Sequence, residues 1–413
     1  MTKHDPHVLI SGSGIAGTAL ALCLVERGIR TTLVERDDAP REGGQVVDLR
    51  GASREAAERM GLMPGIRAHQ LHEKGIAYVN SRGRVHARMS MEDYDGKGAV
   101  AEIEISRGDL HRVLLERLEE ANSAVPELLT VRYGDRISDL VQDGDGADVT
   151  FASGSRTRYE LVVGADGVHS ATRRMVFGPE EQFSTYLGGY TAFFSMPTPP
   201  EIEPGWFTMR AAPGAAVGIR PGSHPATSMV LVTIRTARDS GLRRDRSAQL
   251  ALVRHMISSA GWHAPAMLSA LESAHDFYFD ELVRIDVPDL VHGRVTLIGD
   301  ASSSGSPLSG MGTATALIGA RLLSAEVAAS PNDMTRAAER YAAKVAPFAR
   351  AGQAVPGGGI RFMVPGSKLG NFCAQLTMRI LVSRAFRPVM KRMIGGSQDA
   401  ELSLPEEQTV APH

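Results

Sequence analysis

The sequence contains little cysteine and no recognisable metal-ligand pattern. Its 413 residues include two cysteines, Cys23 and Cys373, which lie far apart and inside apolar stretches. This placement argues against a disulfide framework or a cysteine zinc site, and it predicts two small buried hydrophobes in a reducing compartment. His69, His72 and His86 have no acidic or cysteine partners at a ligand spacing, so we expect no metal.

Net charge and long apolar runs are also lacking. Lysine and arginine number 45 and aspartate and glutamate 47, which gives a formal net charge of −2 and no global field to attract nucleic acid. No apolar run reaches the roughly 18 residues of a membrane-spanning helix. The charged start, Met1 to His7, leads directly into a strand and lacks a signal-peptide pattern. We therefore expect a cytoplasmic protein without a membrane span or a nucleic-acid partner.

A glycine-rich turn follows the first apolar run. His7 to Ser11 predicts a short buried strand, and GSGIAG, from Gly12 to Gly17, opens a helix directly after it. Gly12 makes the tight turn, Gly14 lets the backbone approach a pyrophosphate, and Gly17 lets helix and strand pack closely. Because the helix N-terminus offers free N–H groups to phosphates, the turn predicts a dinucleotide site.

An acidic residue follows at the distance that such a site requires. The second predicted strand, Thr31 to Val34, ends in Glu35, eighteen residues after Gly17. A carboxylate about 20 residues after the turn binds the 2′-OH of an adenosine ribose. An acid at this position favours a ribose without a 2′-phosphate, which indicates NAD or FAD.

A second stretch of small residues comes almost three hundred residues later. Leu297 to Gly312 carries a single carboxylate, Asp300, and an apparently helical stretch follows from Thr313. Asp300, at a strand end, can accept a hydrogen bond from a ribityl hydroxyl or lie near a pyrophosphate. Gly310 and Gly312 let backbone N–H groups approach a flavin ring, where the helix dipole stabilises the negative charge of reduced flavin.

Four segments resemble, in the same order, those of the class A flavoprotein monooxygenases, the para-hydroxybenzoate hydroxylase type. They are GSGIAG with Glu35-Arg36, Ile105 to Leu110, Val163 to Ser170 with Arg173, and the Gly-Asp stretch around Asp300. One departure is Ser302-Ser303, which stands where the family commonly has Ala-His. The resemblance therefore implies flavin binding without a histidine at that position.

Within that family, further residues resemble the tetracycline-inactivating monooxygenases. These are Gly43-Gly44-Gln45, Asp48-Leu49, Ser53, Glu55-Ala56, Gly61-Leu62 and the run from Glu104 to Leu110. The resemblance implies that Asp48 contacts FAD and that Arg41 contacts the nicotinamide nucleotide. It also implies the following cofactor-binding set: Gly12, Gly14, Ile15, Ala16, Gly17, Glu35, Arg36, Asp48, Arg107, Asp166, Gly299, Asp300, Pro307, Gly310, Met311 and Gly312.

The resemblance implies an α/β fold, with a Rossmann-like FAD-binding domain of the GR2 type, an inserted mostly β substrate domain and a long C-terminal helix. The expected ranges are 1–180 and 288–350 for the two parts of the FAD-binding domain, 181–287 for the substrate domain, 351–395 for a C-terminal helical segment and 396–413 for a disordered tail. Within the substrate domain the expected strands are Tyr190 to Met196, Trp206 to Arg210, Ala215 to Arg220 and Met229 to Arg235.

Five side chains of those strands are candidates for lining a substrate site, although an aromatic residue in a strand is more often plain core. They are Phe193, Phe194, Trp206, Phe207 and Met209. Leu369 to Ile394 predicts a long helix, interrupted at Pro388, in which basic residues alternate with apolar ones. Such a helix packs on its own protein or lies on a membrane or partner surface.

The activity that the resemblance implies is FAD-dependent monooxygenation. NADPH or NADH would reduce the flavin, and O₂ would then give a flavin C4a-hydroperoxide that hydroxylates an aromatic or polycyclic small molecule in natural-product biosynthesis, such as antibiotic biosynthesis, or in antibiotic modification. No catalytic base is assigned. The alternative is a flavoprotein cyclase or isomerase that uses FAD without net redox chemistry.

Overall fold

The structure, a computed structural model, describes residues 6–41, 43–94, 101–307, 309–353, 359–383, 385–389 and 404. Its strands are, in chain order, β1 (His7–Ser11), β2 (Arg30–Val34), β3 (Val46–Asp48), β4 (Gly75–Val79), β5 (Val85–Ser90), β6 (Glu104–Ser106), β7 (Leu129–Arg132), β8 (Ile137–Gln142), β9 (Ala147–Phe151), β10 (Arg156–Tyr159), β11 (Leu161–Gly164), β12 (Ser184–Pro197), β13 (Trp206–Ala212), β14 (Ala215–Pro221), β15 (Thr227–Arg235), β16 (Tyr278–Asp286), β17 (Val291–His292), β18 (Val295–Leu297) and β19 (Ser303–Ser304).

The α-helices connect and cover these strands. They are α1 (Ile15–Val25), α2 (Gly51–Arg59), α3 (Met63–Ala68), α4 (Arg107–Ala124), α5 (Ala171–Val176), α6 (Arg246–Ala260), α7 (Ala264–Ser273), α8 (Gly312–Ala329), α9 (Met334–Gln353), α10 (Ile360–Met363) and α11 (Lys368–Leu381). Together with the two large sheets they give the α/β fold that the resemblance implies.

A largely parallel sheet forms the centre of the FAD-binding domain. Its strand order is β17-β18-β11-β1-β2-β7, and only the edge strand β17 is antiparallel to its neighbour among the described strands. The strands β1 and β11 are short apolar runs that are buried along nearly their whole length, as expected for a parallel sheet covered on both faces. Helix α1 is buried on every side and packs against α4 and α8.

A larger, mostly antiparallel sheet lies beside it, with the order β19-β16-β12-β15-β14-β13-β4-β5. The strands β12 to β15 contain the runs that the sequence predicts as strands. One face packs on α6 and α7 through an apolar core that includes Phe194 and Ile257. The sheet takes β4, β5 and β19 from outside residues 181–287, and the domain ranges themselves remain a prediction.

The expected C-terminal helix is present as α11, which ends at Leu381, and residues 387–389 are helical again, so the break precedes Pro388. The expected helix end at Ile394 lies outside the described residues, as do all residues after 389 except Leu404. One expectation about this part of the chain is wrong. Cys373 is exposed, whereas Cys23 is buried. The physical reason is that α11 covers the protein with only one side. Its other side leaves a set of large apolar residues in solvent: Leu369, Phe372, Leu376 and Ile380.

The tail from 396 to 413, which we expect to be disordered, lies outside the described residues except for Leu404, which is buried against the core of the FAD-binding domain. None of the helices within the described ranges combines the length and the apolar content that a bilayer-spanning helix requires.

The closest backbone approach in the first βα unit gives a stability prediction. A Cβ atom added at Gly17 would lie 1.9 Å from the carbonyl oxygen of Gly12. We expect Gly17→Ala to lower the free energy of unfolding by at least about 1–3 kcal/mol, because α1 must move away from the turn. Thermal or urea unfolding measures the loss. The matched control is Gly144→Ala, where the added atom meets nothing within 4 Å; equal stability of the two variants would contradict the packing role.

Candidate active site

A cavity of about 1520 Å³ runs between the parallel sheet and the large sheet. At one end it is lined by the turn after β1, the end of β2 and the segment after β11. In the middle it is lined by Arg107, Asp300 and the loop before α8, and at the other end by one face of the large sheet. The four segments that carry the resemblance therefore contribute to the wall of one continuous space.

The glycine turn forms the narrow end of this cavity. Gly12 has a φ of +107°, and a Cβ there would lie 2.6 Å from the carbonyl oxygen of Ala165, so glycine is required. Gly14 precedes α1 with no side-chain cap, which leaves the first N–H groups of the helix free for an anion. Glu35 accepts a hydrogen bond from the backbone N–H of Ser13 at 2.8 Å, which fixes its carboxylate beside the turn.

Arg107 is the first residue of α4. Ser106 caps the helix by accepting a hydrogen bond from the N–H of Asp109 at 2.9 Å. The Arg107 side chain passes close to Gly44: a Cβ atom added at Gly44 would lie 3.4 Å from the Cβ atom of Arg107. The Arg107 guanidinium lies near Gly14. Burial lowers the pKa of this guanidinium, and the Asp300 carboxylate opposes that effect. Arg107 thus places a cation in the middle of the cavity.

Asp300 is the carboxylate of the bare loop. It lies in a short 3₁₀ turn, Gly299–Ala301, directly after β18. Its Oδ1 atom is buried and accepts no hydrogen bond from any described residue. A Cβ added at Gly312 would lie 3.5 Å from that atom, so Asp300 is close to the first residue of α8. Burial raises the pKa of Asp300, and the Arg107 cation and a hydrogen bond with Ser304 counter the rise.

These features fit FAD. A buried carboxylate oxygen without a donor is costly, and a ligand hydroxyl would remove that cost. The free N–H groups at the start of α1 suit a pyrophosphate, and Glu35 lies beside them for an adenosine ribose. Gly310, with a φ of +68° and no atom near its missing side chain, lets a flat ring approach the backbone before α8.

The cavity wall includes most of the predicted cofactor residues, but not all of them. Those that line it are Gly12, Gly14, Glu35, Arg36, Asp48, Arg107, Asp166, Asp300, Pro307, Gly310, Met311 and Gly312, together with Arg41. Ile15, Ala16, Gly17 and Gly299 do not line it. They lie one layer deeper: a Cβ on Gly299 would meet Ala16 at 2.8 Å, so these residues support the turn by close packing.

Asp166 has a structural task in addition to its place in the wall. Its carboxylate accepts hydrogen bonds from the hydroxyl of Ser170 and from the backbone N–H and hydroxyl of Thr172, the latter two at 2.9 and 3.0 Å. These contacts hold the turn between β11 and α5. The side chain thus anchors the segment that borders the cofactor half.

The face of the large sheet decides which of the five candidate substrate residues reach the cavity. Phe193, Phe207 and Met209 line it, whereas Phe194 and Trp206 do not. Because successive strand residues point to opposite faces, Phe193 and Phe194 cannot both face the cavity. Phe194 packs toward α6 and α7 instead, and Trp206 lies under the guanidinium of Arg88 at 4.7 Å.

Sequence reasoning missed two further wall residues, His111 and Tyr278. His111 lies one helical turn after Arg107 and contacts the Thr18 hydroxyl at 3.2 Å, and burial lowers its pKa to about 4. Tyr278 donates to Asp280 at 2.8 Å. The four-residue spacing from Arg107 on one helix is a sequence signal that could have found His111, and no pattern in the sequence indicates Tyr278.

A histidine after β11 joins the two halves of the molecule. His169 Nδ1 lies 3.0 Å from Glu180, and its Nε2 lies 2.9 Å from Asp280 on β16. Burial disfavours the charged ring, but the hydrogen bonds and charges of Asp280 and Glu180 outweigh burial and raise the pKa of His169 to about 9. The ring is therefore protonated at neutral pH and forms an ion pair with both carboxylates.

Comparison with known proteins shows the family to which the chain belongs. The family model described as an FAD binding domain matches residues 5–352. The chain belongs to this family of class A-type FAD-dependent monooxygenases. Relatives include an uncharacterised protein of Mycobacterium tuberculosis (strain ATCC 25618 / H37Rv), 36% identical over 361 residues, with 85% of this chain and 94% of the relative covered. A flavin-dependent monooxygenase from an unknown prokaryotic organism is 32% identical over 354 residues, with 85% and 88% covered.

Two solved structures share the whole architecture of this monooxygenase. Tetracycline destructase Tet(51) superposes with a TM-score of 0.78 at 26% identity, covering 97% of this chain and 99% of the other. Tetracycline destructase Tet(55) has a TM-score of 0.76 at 28% identity, covering 98% and 100%. The family assignment, the shared fold and the fit of the cavity to FAD therefore agree with one another.

The Oδ1 atom of Asp300, which has no hydrogen-bond partner among the described residues, gives a binding prediction for this monooxygenase. We expect Asp300→Ala to weaken FAD binding roughly 10- to 150-fold, the range for losing a hydrogen bond to a charged group, and Asp300→Asn to fall between. FAD titration into the deflavinated protein measures this. Asp289→Asn, an exposed substitution, is the control. Unchanged FAD affinity together with a lower melting temperature of the apo-protein would assign Asp300 a purely structural role.

The ion-paired His169 gives a pH prediction. Because its pKa is raised from the ordinary 6.5 to about 9, its stabilisation is complete below pH 6.5 and is lost as the pH rises through about 9. We expect His169→Gln to remove a pH-dependent contribution of about 1–3 kcal/mol to the free energy of unfolding over that window. Urea unfolding at several pH values, with the exposed His255→Gln as control, measures it. A wild-type-like pH slope in His169→Gln would refute the assignment.

Proposed function

We propose that this monooxygenase hydroxylates an aromatic or polycyclic small molecule, with NADPH or NADH as reductant and O₂ as co-substrate. The observation that carries the proposal is the continuity of the cavity: the space beside Arg107 and Asp300 opens without a break onto a wall of the large sheet that includes Phe193, Phe207 and Met209. A flat substrate on that wall would lie against a flavin ring held by the loop before α8.

The substrate half suits a large, flat molecule with both apolar and polar parts. Its wall combines apolar side chains, such as Phe207, Met209 and Leu231, with polar ones, such as Thr191, Thr233 and Tyr278. Helix α11 covers this half from outside through Ala374, Gln375 and Met378. This cover would keep bulk water away from the reacting carbon, which a reaction with reduced flavin and oxygen requires.

Each part of the chain has a definable task in this reaction. When bound, FAD supplies the redox chemistry, in which a hydride is accepted and one oxygen atom of O₂ is transferred to the substrate. Asp300 would hold a ribityl hydroxyl, and Arg107 would compensate negative charge on the cofactor. The N-terminus of α8 at Gly312 would stabilise charge on the reduced ring through its dipole. The sheet face would orient the substrate.

The reductant would approach from the open side of the cavity. Arg41 is exposed there, and its guanidinium lies 5.8 Å from the centre of the Tyr278 ring. An exposed cation beside an aromatic face suits a nucleotide phosphate together with a nicotinamide ring. The likeness to the tetracycline destructases supports a polycyclic substrate class, as in natural-product biosynthesis or antibiotic modification.

The test combines flavin reduction with product analysis. Under anaerobic conditions we expect NADPH or NADH to bleach the bound FAD. In air with ¹⁸O₂, we expect a polycyclic phenol probe such as tetracycline or alizarin to gain one labelled oxygen, measured by mass spectrometry. Conversion of a probe to an isomer of unchanged mass, with no consumption of either nucleotide, would favour the cyclase or isomerase alternative and overturn the proposal.

Arg107 provides the matched variant for this test. We expect Arg107→Ala to lose FAD on dialysis or to reduce it at least about 10-fold more slowly, because a charge-assisted contact with the cofactor is removed. The control is Arg112→Ala on the same helix, whose half-exposed side chain pairs with Asp109. Flavin retention and stopped-flow reduction give the comparison. Wild-type behaviour of Arg107→Ala in both measurements would show that Arg107 does not serve the cofactor.

A further inference from the structure

A buried charged cluster lies in the wall of the substrate half. It consists of Glu73, Glu104 and Arg220, and its members come from three separate parts of the chain. Glu104 begins β6, the strand that leads to Arg107, and Arg220 lies near the end of β14. Both side chains line the cavity, whereas Glu73 does not and is fully buried behind them. A buried charged group in a cavity wall calls for a reason.

The contacts leave this cluster with one carboxylate more than it has cations. Arg220 Nε donates to Glu73 Oε1 at 2.7 Å, and Arg220 Nη2 donates to Glu104 Oε2 at 2.8 Å. The other oxygen of Glu104 accepts from the backbone N–H of Ala101 at 2.9 Å. Two buried carboxylates thus share one guanidinium. Such a group either holds a proton or completes its contacts with a donor from a ligand.

The charges around Glu104 explain its titration. Burial raises the pKa of Glu104 to about 7; the Arg220 cation opposes this, and the neighbouring Glu73 carboxylate adds to the rise. The other charged groups that face it, Asp48 and Arg50, pair with each other at 2.9 Å. Glu104 is therefore poised to change its charge near neutral pH.

The shape of this corner defines what fits against it. The Phe207 ring lies under the Arg220 guanidinium, 5.1 Å from its centre, and Phe207 itself lines the cavity. An aromatic ring that packs on Phe207 would bring a ring substituent to the Glu104 and Arg220 side chains. A purely structural ion pair would have no reason to face this space, since Glu73 alone already pairs with Arg220 from behind.

We propose that Glu104 and Arg220 form a polar subsite that recognises a phenolic or enolic hydroxyl of the substrate, with the hydroxyl donating a hydrogen bond to the Glu104 carboxylate. The inference rests on the proposed function, because it specifies the substrate class of the same cavity. It assigns the hydroxyl end of the substrate to this corner and the ring to the wall beside Phe207. Glu104 is a specificity-determining residue in this assignment.

The experiment compares two probes with the same ring and ring-bound oxygen, of which one carries an O–H donor and the other an O-methyl group. The FAD-loaded protein is titrated with 2-naphthol and with 2-methoxynaphthalene by equilibrium dialysis, from about pH 5.5 to about pH 8.5, where phenols remain protonated. For the wild type we expect roughly 10-fold or greater preference for 2-naphthol at high pH. The preference falls as the pH drops through about 7, because a protonated Glu104 is a weaker acceptor.

Three variants separate recognition from folding. Glu104→Gln is expected to show a small preference without a pH step. Glu102→Gln, whose side chain is 75% exposed, is the matched control and keeps the wild-type preference. Glu73→Gln removes the charge behind the subsite, so the preference remains and its pH step moves to lower pH. FAD content and melting temperature show whether each variant is folded. If Glu104→Gln does not fold, the shift of the pH step in Glu73→Gln still tests the proposal.

Three results would overturn the proposal: failure of 2-naphthol to bind the wild type, equal affinity for both probes at every pH, or an unchanged pH step in folded Glu104→Gln or Glu73→Gln. The proposed function fails differently, through absence of nucleotide oxidation. A protein that oxidises NADPH or NADH with either probe, yet does not prefer the hydroxyl, would keep the monooxygenase and lose the subsite.

Discussion

The structure depends on a cation and a carboxylate, Arg107 and Asp300, which face each other inside one cavity. Their interaction with each other leaves part of their hydrogen-bonding capacity unused. Arg107 and Asp300 lie far apart in the sequence, and the glycines Gly14, Gly44 and Gly312 leave the backbone around both without side chains. Two charged groups held in a low-dielectric space are unfavourable unless something completes their contacts. The fold therefore holds polar groups that need further hydrogen-bond partners, and a long, polar cofactor with a flat ring can supply them.

The active site also requires a substrate-facing surface on the same cavity that holds the cofactor. The large sheet does this with strands from three stretches of the chain, since β4 and β5, β12 to β16, and β19 all join it. One face is stabilised by α6 and α7, which frees the other face to be shaped by the cavity alone. His169 links the segment after β11 to β16, so the cofactor half and the sheet are fixed relative to each other by charge as well as by packing.

Features that depend on residues close together in the sequence can be predicted from it. Features that depend on contacts between distant segments cannot. The GSGIAG turn, Glu35 and the Gly-Asp loop have fixed spacings, and each contributes at least one residue to the cavity wall. The pair formed by Arg220 and Glu104 spans 116 residues and has no local pattern. Phe194 was assigned to the cavity because a strand's period gives two faces but not which face is inward. The exposure of Cys373 has the same origin, since apolar spacing on a helix does not tell whether a partner covers it.

The order of the chain has a consequence for how the enzyme matures in the cell. The phosphate turn leaves the ribosome first, but β11 and β18, which flank or extend its sheet, and then Asp300 and Gly312 follow much later. Contacts so distant in sequence form only when nearly the whole chain is available. The complete cofactor site therefore exists only after the chain has been made at least as far as Gly312 and has folded back onto the first turn.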